Sequence, residues 1–299
     1  MVTRRMLIAG MTAAALPLPA LAQDPFNSRD LRRGRATVPV FLNDQGPFQF
    51  MVDTAANASV VADDLAQRLQ LPSLGTIGMH TLVGREVVPS VRAARMRSGS
   101  LDAHEVRLAV GQRLAMGGLD GLLGCDLLAD RKLILNFRGT DSARIARSSA
   151  PPQSFRSGDT NIPAVVIGER RFGNLLMVPA LVGRTSATAI IDSGAEGTIL
   201  NRAAAVAGRA VPLVPHDGQD IRRVQSPTGE FTMGHAMLLP AMTLAGLTIS
   251  SLPVAVGDFH SFGVWGLADR PAMLVGLDVL GLFSAVHIDL KRRELSLQG

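Results

Sequence analysis

Hydrophobic positions in this chain fall into short runs, either alternating with polar residues or unbroken, with turn signals about every eight to twelve residues. SLDAHEVRLAV (100–110) and GLTISSLPVAV (246–256) alternate as half-buried strands do. ATVPVFLN (36–43) and IPAVVIG (162–168) read as extended apolar stretches. Each is expected to lead through a turn into a second strand that ends in an acid, at Asp53 and at Asp192. After each acid come small residues, then ASVVADDLAQRLQL (58–71) or GTILNRAAAVAGRA (197–210), a short strand running into one brief helix. LVGREV (82–87) and VQSPTGEF (224–231) have glycine between β-formers and predict hairpins.

These elements occur twice in the same order, from about residue 36 to 145 and from about 161 to 297. The clearest echo is GLLGCDLL (121–128) against MLVGLDVL (273–280), and both halves close on strands, KLILNF (132–137) and AVHIDLKRRELSL (285–297). Between them RSSAPPQSFRSGD (147–159) has the composition of an exposed linker. The expectation is an all-β chain of two homologous β-barrel-like lobes with a cleft between them, over residues 23–147 and 160–299, joined by a linker at 148–159.

Residues 1–22 stand apart. Arg4 and Arg5 precede the apolar, proline-broken MLIAGMTAAALPLPA, and ALA ends at Ala22, which together predict a secretory signal peptide rather than an uncleaved anchor. TRRMLIAG also suits the twin-arginine route, so an exported, periplasmic chain without stable membrane insertion after signal removal is expected. With one cysteine, Cys125, no internal disulfide can form, and stability must come from burial. Of 299 residues 47% are hydrophobic and 18% charged; the 28 Arg and 2 Lys are dispersed, and aromatics make up only 4%. A nucleic-acid partner is not expected, because neither a basic stripe nor stacking platforms are visible.

Aspartate is a poor strand residue and costly to bury alone, so its delivery to the end of two hydrophobic strands asks for a reason. Two lobes related by an approximate twofold can bring the carboxyls together. At about 3 Å both cannot ionise, and they share a proton. The ionised member can then take a proton from water while the protonated one donates to a carbonyl, with no metal or cofactor. Thr54 and Ser193, the hydroxyls after each acid, can bond the opposite loop, and the small residues Ala55, Ala56, Gly194 and Ala195 allow the backbones to approach.

These motifs resemble those of the aspartic proteases, in particular the bacterial retropepsin-like branch in a single-chain, two-lobed, pepsin-like arrangement. The resemblance rests on Ile190-Ile191-Asp192-Ser193-Gly194-Ala195 with Leu274-Val275-Gly276, and on Met51-Val52-Asp53-Thr54-Ala55-Ala56 with Leu122-Leu123-Gly124. It implies a catalytic dyad of Asp53 and Asp192, supported by Thr54, Ala55, Ser193 and Gly194, with Gly124 and Gly276 packing under the acid loops. It implies a peptide or unfolded-protein substrate and a monomer sufficient for catalysis. Flaps are expected at the hairpins carrying Gly84 and Gly229, although an ordinary surface hairpin fits the same residues.

Ala55 departs from the family pattern, which has glycine there. Its methyl and its aversion to positive φ make a catalytically weak or inactive peptide-binding protein the alternative to an endopeptidase, with a purely structural scaffold as a third reading. Asp126 and Asp278 are expected to fix loops, and Cys125 to be a buried small hydrophobe. The six histidines show no metal-binding spacing, and no Ser-hydrolase or nucleotide-binding motif occurs.

Overall fold

The computed structural model describes residues 35–138, 143–148, 164–213 and 221–299. The leader expected at 1–22 and positions 149–159 of the expected linker lie outside the described residues.

The first lobe runs β1 (Thr37–Leu42), β2 (Gln45–Val52), β3 (Val60–Ala62), α1 (Asp63–Arg68), β4 (Ser73–His80), β5 (Arg85–Ser98), β6 (Leu101–Gly111) and β7 (Gly121–Leu123). β8 (Arg131–Asn136), β9 (Ala143–Arg147) and β10 (Ala164–Ile167) follow. The second lobe contains β11 (Glu169–Arg171), β12 (Leu175–Val182), β13 (Thr185–Ile191), β14 (Ile199–Leu200), α2 (Arg202–Ala207), β15 (Val211–Pro212), β16 (Ile221–Gln225), β17 (Phe231–Leu244) and β18 (Leu247–Val256). It continues through α3 (His260–Val264), β19 (Ala272–Val275) and α4 (Leu277–Leu280), and the chain ends with β20 (Ala285–Asp289) and β21 (Glu294–Gln298).

In the first lobe the order β1-β2-β7-β3-β6-β5 is closed by pairing of β1 with β5, and β4 hangs on β5 as a hairpin. The second lobe repeats it as β12-β13-β19-β14-β18-β17, closed by β12 with β17, and β16 forms the hairpin. Each barrel has the same two parallel pairings, β2 with β7 and β3 with β6, or β13 with β19 and β14 with β18. The strands that lead to the acids are covered on both faces, so they read as unbroken apolar runs rather than alternation. Phe50, Met51 and Val52 are 0–5% exposed, and Ala189, Ile190 and Ile191 are wholly buried.

A third sheet, β10-β21-β20-β8-β9, is built from both halves. β8 pairs with β20 from Asn136–Ala285 to Lys132–Asp289, and Leu133, Leu135, Val286 and Ile288 bury their side chains there. One correction to the repeat follows. IPAVVIG does not match ATVPVFLN, because β10 pairs with β21 in the shared sheet. The counterpart of β1 is β12, LLMVPALV, whose Leu175–Val178 are at most 2% exposed, whereas β10 alternates half-buried and exposed positions.

Candidate active site

Both acids stand where a parallel ladder ends. The Asp53 amide donates to the Leu123 carbonyl at 2.9 Å, and the Asp192 amide to Val275 at 3.0 Å. The chain then turns back over each carboxyl. Asp53 Oδ1 accepts from the Ala55 and Ala56 amides, both at 2.9 Å, and Asp192 Oδ1 from Gly194 at 2.7 Å and Ala195 at 3.1 Å. This is the local side-chain-to-backbone bonding that makes aspartate a turn residue.

The two turns hold each other across the pseudo-twofold. Thr54 Oγ1 donates to the Ile191 carbonyl and Ser193 Oγ to the Val52 carbonyl, each at 2.7 Å. In return the Ser193 amide donates to Thr54 Oγ1 at 3.0 Å, and the Thr54 amide to Ser193 Oγ at 3.3 Å. Both side chains are fully buried, so these bonds meet little competition from water.

Beneath each loop lies a glycine with no room for a side chain. A Cβ at Gly124 would fall 2.9 Å from the Ala56 carbonyl oxygen, and one at Gly276 2.7 Å from the Gly197 carbonyl carbon and oxygen. The next residue of each closes the contact: the Cys125 amide donates to Ala56 and the Leu277 amide to Ala195. Asp126 accepts from the Ser59 amide and hydroxyl at 3.1 and 2.8 Å, and Asp278 from the Thr198 amide and hydroxyl at 2.9 and 2.8 Å. The buried Cys125 thiol donates to the Thr54 carbonyl at 3.1 Å, and burial, together with the nearby acids, pushes its pKa well up.

Asp53 and Asp192 stand near enough that each shifts the ionisation of the other. Burial raises both above the ordinary aspartate value. Asp192 is raised well above it, with the charge of Asp53 adding to burial, while Asp53 is eased downward by the Ala55 amide, Asp192, the Ala56 amide and Arg35. Accessibility follows the same asymmetry, Asp53 being half-buried and Asp192 only 5% exposed.

Two family models match the chain in tandem: one described as "gag-polyprotein putative aspartyl protease" over residues 38–130, the other as "Aspartyl protease" over 178–279. The chain belongs to the aspartyl protease family. A search of curated proteins finds no match. The two matched segments contain one acid loop each, as the protease fold requires of a duplicated, two-lobed chain.

Within this protease fold Ala55 is not strained. Neither it nor Gly194 has a positive φ, so the turn does not require the backbone freedom of glycine. Space is another matter on the Gly194 side. A Cβ there would lie 2.5 Å from Asp53 Cγ and 2.6 Å from its Oδ2, so only glycine lets Asp53 occupy its place.

The hairpins expected as flaps reach across the two lobes. At the first tip Thr81 folds over the turn, its Oγ1 accepting from the Val83 and Gly84 amides at 3.1 and 3.2 Å. The tip then meets α3: the His260 amide donates to the Leu82 carbonyl at 3.1 Å, and Ser261 Oγ to the Thr81 carbonyl at 2.8 Å. His80 and His260 stack with ring centroids 5.2 Å apart and share a 2.9 Å Nδ1···Nε2 contact. The second tip rests on the first lobe, where a Cβ at Gly229 (φ +103°) would fall 2.8 Å from Gln112 Oε1. Glu86 joins the hairpins by accepting from Thr81 Oγ1 and Thr228 Oγ1. Gly84, by contrast, has a φ open to any residue and open space where a Cβ would go.

Three residues around the candidate site were not read from the sequence. Arg35 bonds Glu196 Oε1 through Nε and Nη2 at 3.1 and 2.8 Å and the Met116 carbonyl through Nη1 at 3.2 Å. Glu196 lies four residues beyond Asp192, on the opposite lobe. The signal for Arg35 was available only through strand register: two steps beyond the Thr37–Met51 pair, it falls opposite Asp53. Glu86, the third, gave no signal, because its partner Thr228 is 142 residues away.

Proposed function

We propose that the chain is an endopeptidase that hydrolyses peptide bonds with a water held between Asp53 and Asp192. The observation that carries this is the meeting of two acid loops, one from each lobe, tied together by Thr54 and Ser193, with the Asp53 carboxyl packed against Gly194 beside Asp192. Two carboxyls so placed share one proton. The anionic member takes a proton from water as the new C–O bond forms at the scissile carbonyl, and the acidic member gives its proton to the carbonyl oxygen. As the tetrahedral adduct collapses, the nitrogen receives the proton taken from water and the C–N bond breaks; the other carboxyl regains its own. The loop amides on each Oδ1 hold the carboxyls in place, so little reorganisation is needed at the moment of reaction.

The substrate is an extended or unfolded polypeptide, laid between the lobes beneath the two hairpins, which must part to admit it. One chain contains both acids, so a monomer is sufficient. With the leader read at residues 1–22, the enzyme works after export to a periplasm, by the Sec or the twin-arginine route. No helix among the described residues is long and apolar enough to cross a membrane.

A silent peptide binder is the second reading, and its support was the alanine at position 55. The negative φ of Ala55 removes half of that support. The test is cleavage of an unfolded protein between about pH 3 and 7, its block by a transition-state mimic of the tetrahedral adduct, and its loss in Asp53→Asn and Asp192→Asn. Retention of peptides without cleavage across that range would give the binder the better claim.

A further inference from the structure

The two acid loops share their turn amides and crossed hydroxyls and differ in what stands opposite each acid. In the register of β1 and β2 Arg35 faces Asp53, and the Val52 amide bonds the Ala36 carbonyl at 2.9 Å, so the pairing continues to that point. In the register of β12 and β13 the position facing Asp192 is Leu175, which is 1% exposed. One acid therefore has an arginine across the strand pair and the other a leucine. Arg35 is not free to swing away. Its side chain is 13% exposed and fixed by Glu196 and the Met116 carbonyl, which hold all three of its nitrogens.

We propose that Arg35 sets the division of labour in the dyad: it holds Asp53 as the anion that takes the proton from water and leaves Asp192 as the acid that protonates the carbonyl. This rests on the protease reading above and deepens it. Arg35 touches neither water nor substrate in this scheme and is a positioning residue. A cation favours the charged form of a nearby carboxyl, and an aliphatic surrounding favours the neutral form. Accessibility agrees, Asp53 being the more exposed of the two. So does charge, because Arg35 eases Asp53 downward against its burial whereas burial and the Asp53 charge both push Asp192 up. Glu196 tempers the effect, since it neutralises part of the guanidinium charge from the opposite lobe.

The test reads the carboxyls directly. Full-length protein with 13C-labelled aspartate is titrated by NMR, with Asp53→Asn and Asp192→Asn used to assign the two dyad signals. The expected result is that the first ionisation of the dyad appears mainly at the Asp53 carbon. Arg35→Met should move that midpoint to higher pH, Arg35→Lys should leave it close to wild type, and Glu196→Gln should move it to lower pH. If Arg35 served only to brace the lobes, Arg35→Met and Glu196→Gln would both break the brace and act in the same direction. Shifts of the same sign, no shift in Arg35→Met, or a first ionisation centred on Asp192 would each overturn the proposal. The titration needs no turnover, so an inactive protein would refute the protease reading while leaving this inference to be decided by the spectra.

Discussion

Replacing Thr54 by valine keeps the volume of the side chain and removes only its hydroxyl. Two groups then lose a partner in a region closed to water: the Ile191 carbonyl, bonded at 2.7 Å, and the Ser193 amide, bonded at 3.0 Å. An unsatisfied buried polar group costs about 1–3 kcal/mol, so the substitution should cost roughly 2–5 kcal/mol. At about 2–4 °C per kcal/mol for a domain of 150–250 residues, Tm should fall by roughly 4–20 °C. Ser193→Ala should cost somewhat less, since of its two bonds the one from the Thr54 amide is long, at 3.3 Å. The double variant should cost less than the sum, because loops parted by the first change have less to lose from the second. Calorimetry and urea denaturation of the four proteins measure all three quantities. A Thr54→Val loss below about 0.5 kcal/mol, the level of an ordinary surface change, would refute the claim that the crossed hydroxyls hold the lobes together.

Gly194→Ala and Ala55→Gly should differ sharply although they are mirror changes. A methyl at 194 would stand 2.5 Å from Asp53 Cγ, so against a normal contact of about 3.5–4.0 Å the carboxyl must retreat by about 1 Å. A misplacement of about 1 Å costs roughly a hundredfold in kcat/KM. Ala55→Gly relieves no strained φ and should lower stability by about 0.4–1 kcal/mol with little change in kcat/KM; a large gain in activity would show that the alanine is a handicap. Stability should also depend on pH through the buried acids. Asp53, Asp126, Asp192 and Asp278 are all raised above 3.8 by burial, so above that pH the folded chain binds more protons than the unfolded chain and loses stability as pH rises. His287, lowered from 6.5 by burial, acts in the opposite sense as pH approaches that value. Asp192→Asn should therefore show a shallower fall in Tm from acidic to neutral pH than the parent, and an unchanged slope would count against the burial of Asp192 as its cause.

The acid loops were legible because everything that makes them is local: an apolar run, an acid, a hydroxyl and small residues within eight positions. The duplication was legible because order survives where length does not. Partner choice was harder to read. IPAVVIG has the composition of a barrel strand, and nothing within it says that it pairs with the last strand of the chain. The same limit hid Arg35, whose contacts with Glu196 span 161 positions. Ala55 shows a further limit. Its identity raised a sound question, but only the backbone angle could say that the turn asks for no positive φ.

The sheet shared by the two halves has a consequence for how the molecule is made. β8 is complete when the first half has been synthesised, yet its partner β20 lies some 150 residues downstream. Until then the nascent chain has an unsatisfied strand edge, open to any extended segment that passes. The first barrel can close on β1 and β5 without it, but the ribosome must deliver nearly the whole protein before that edge is closed. The sheet that joins the two barrels is therefore the last part of the molecule that synthesis allows to form.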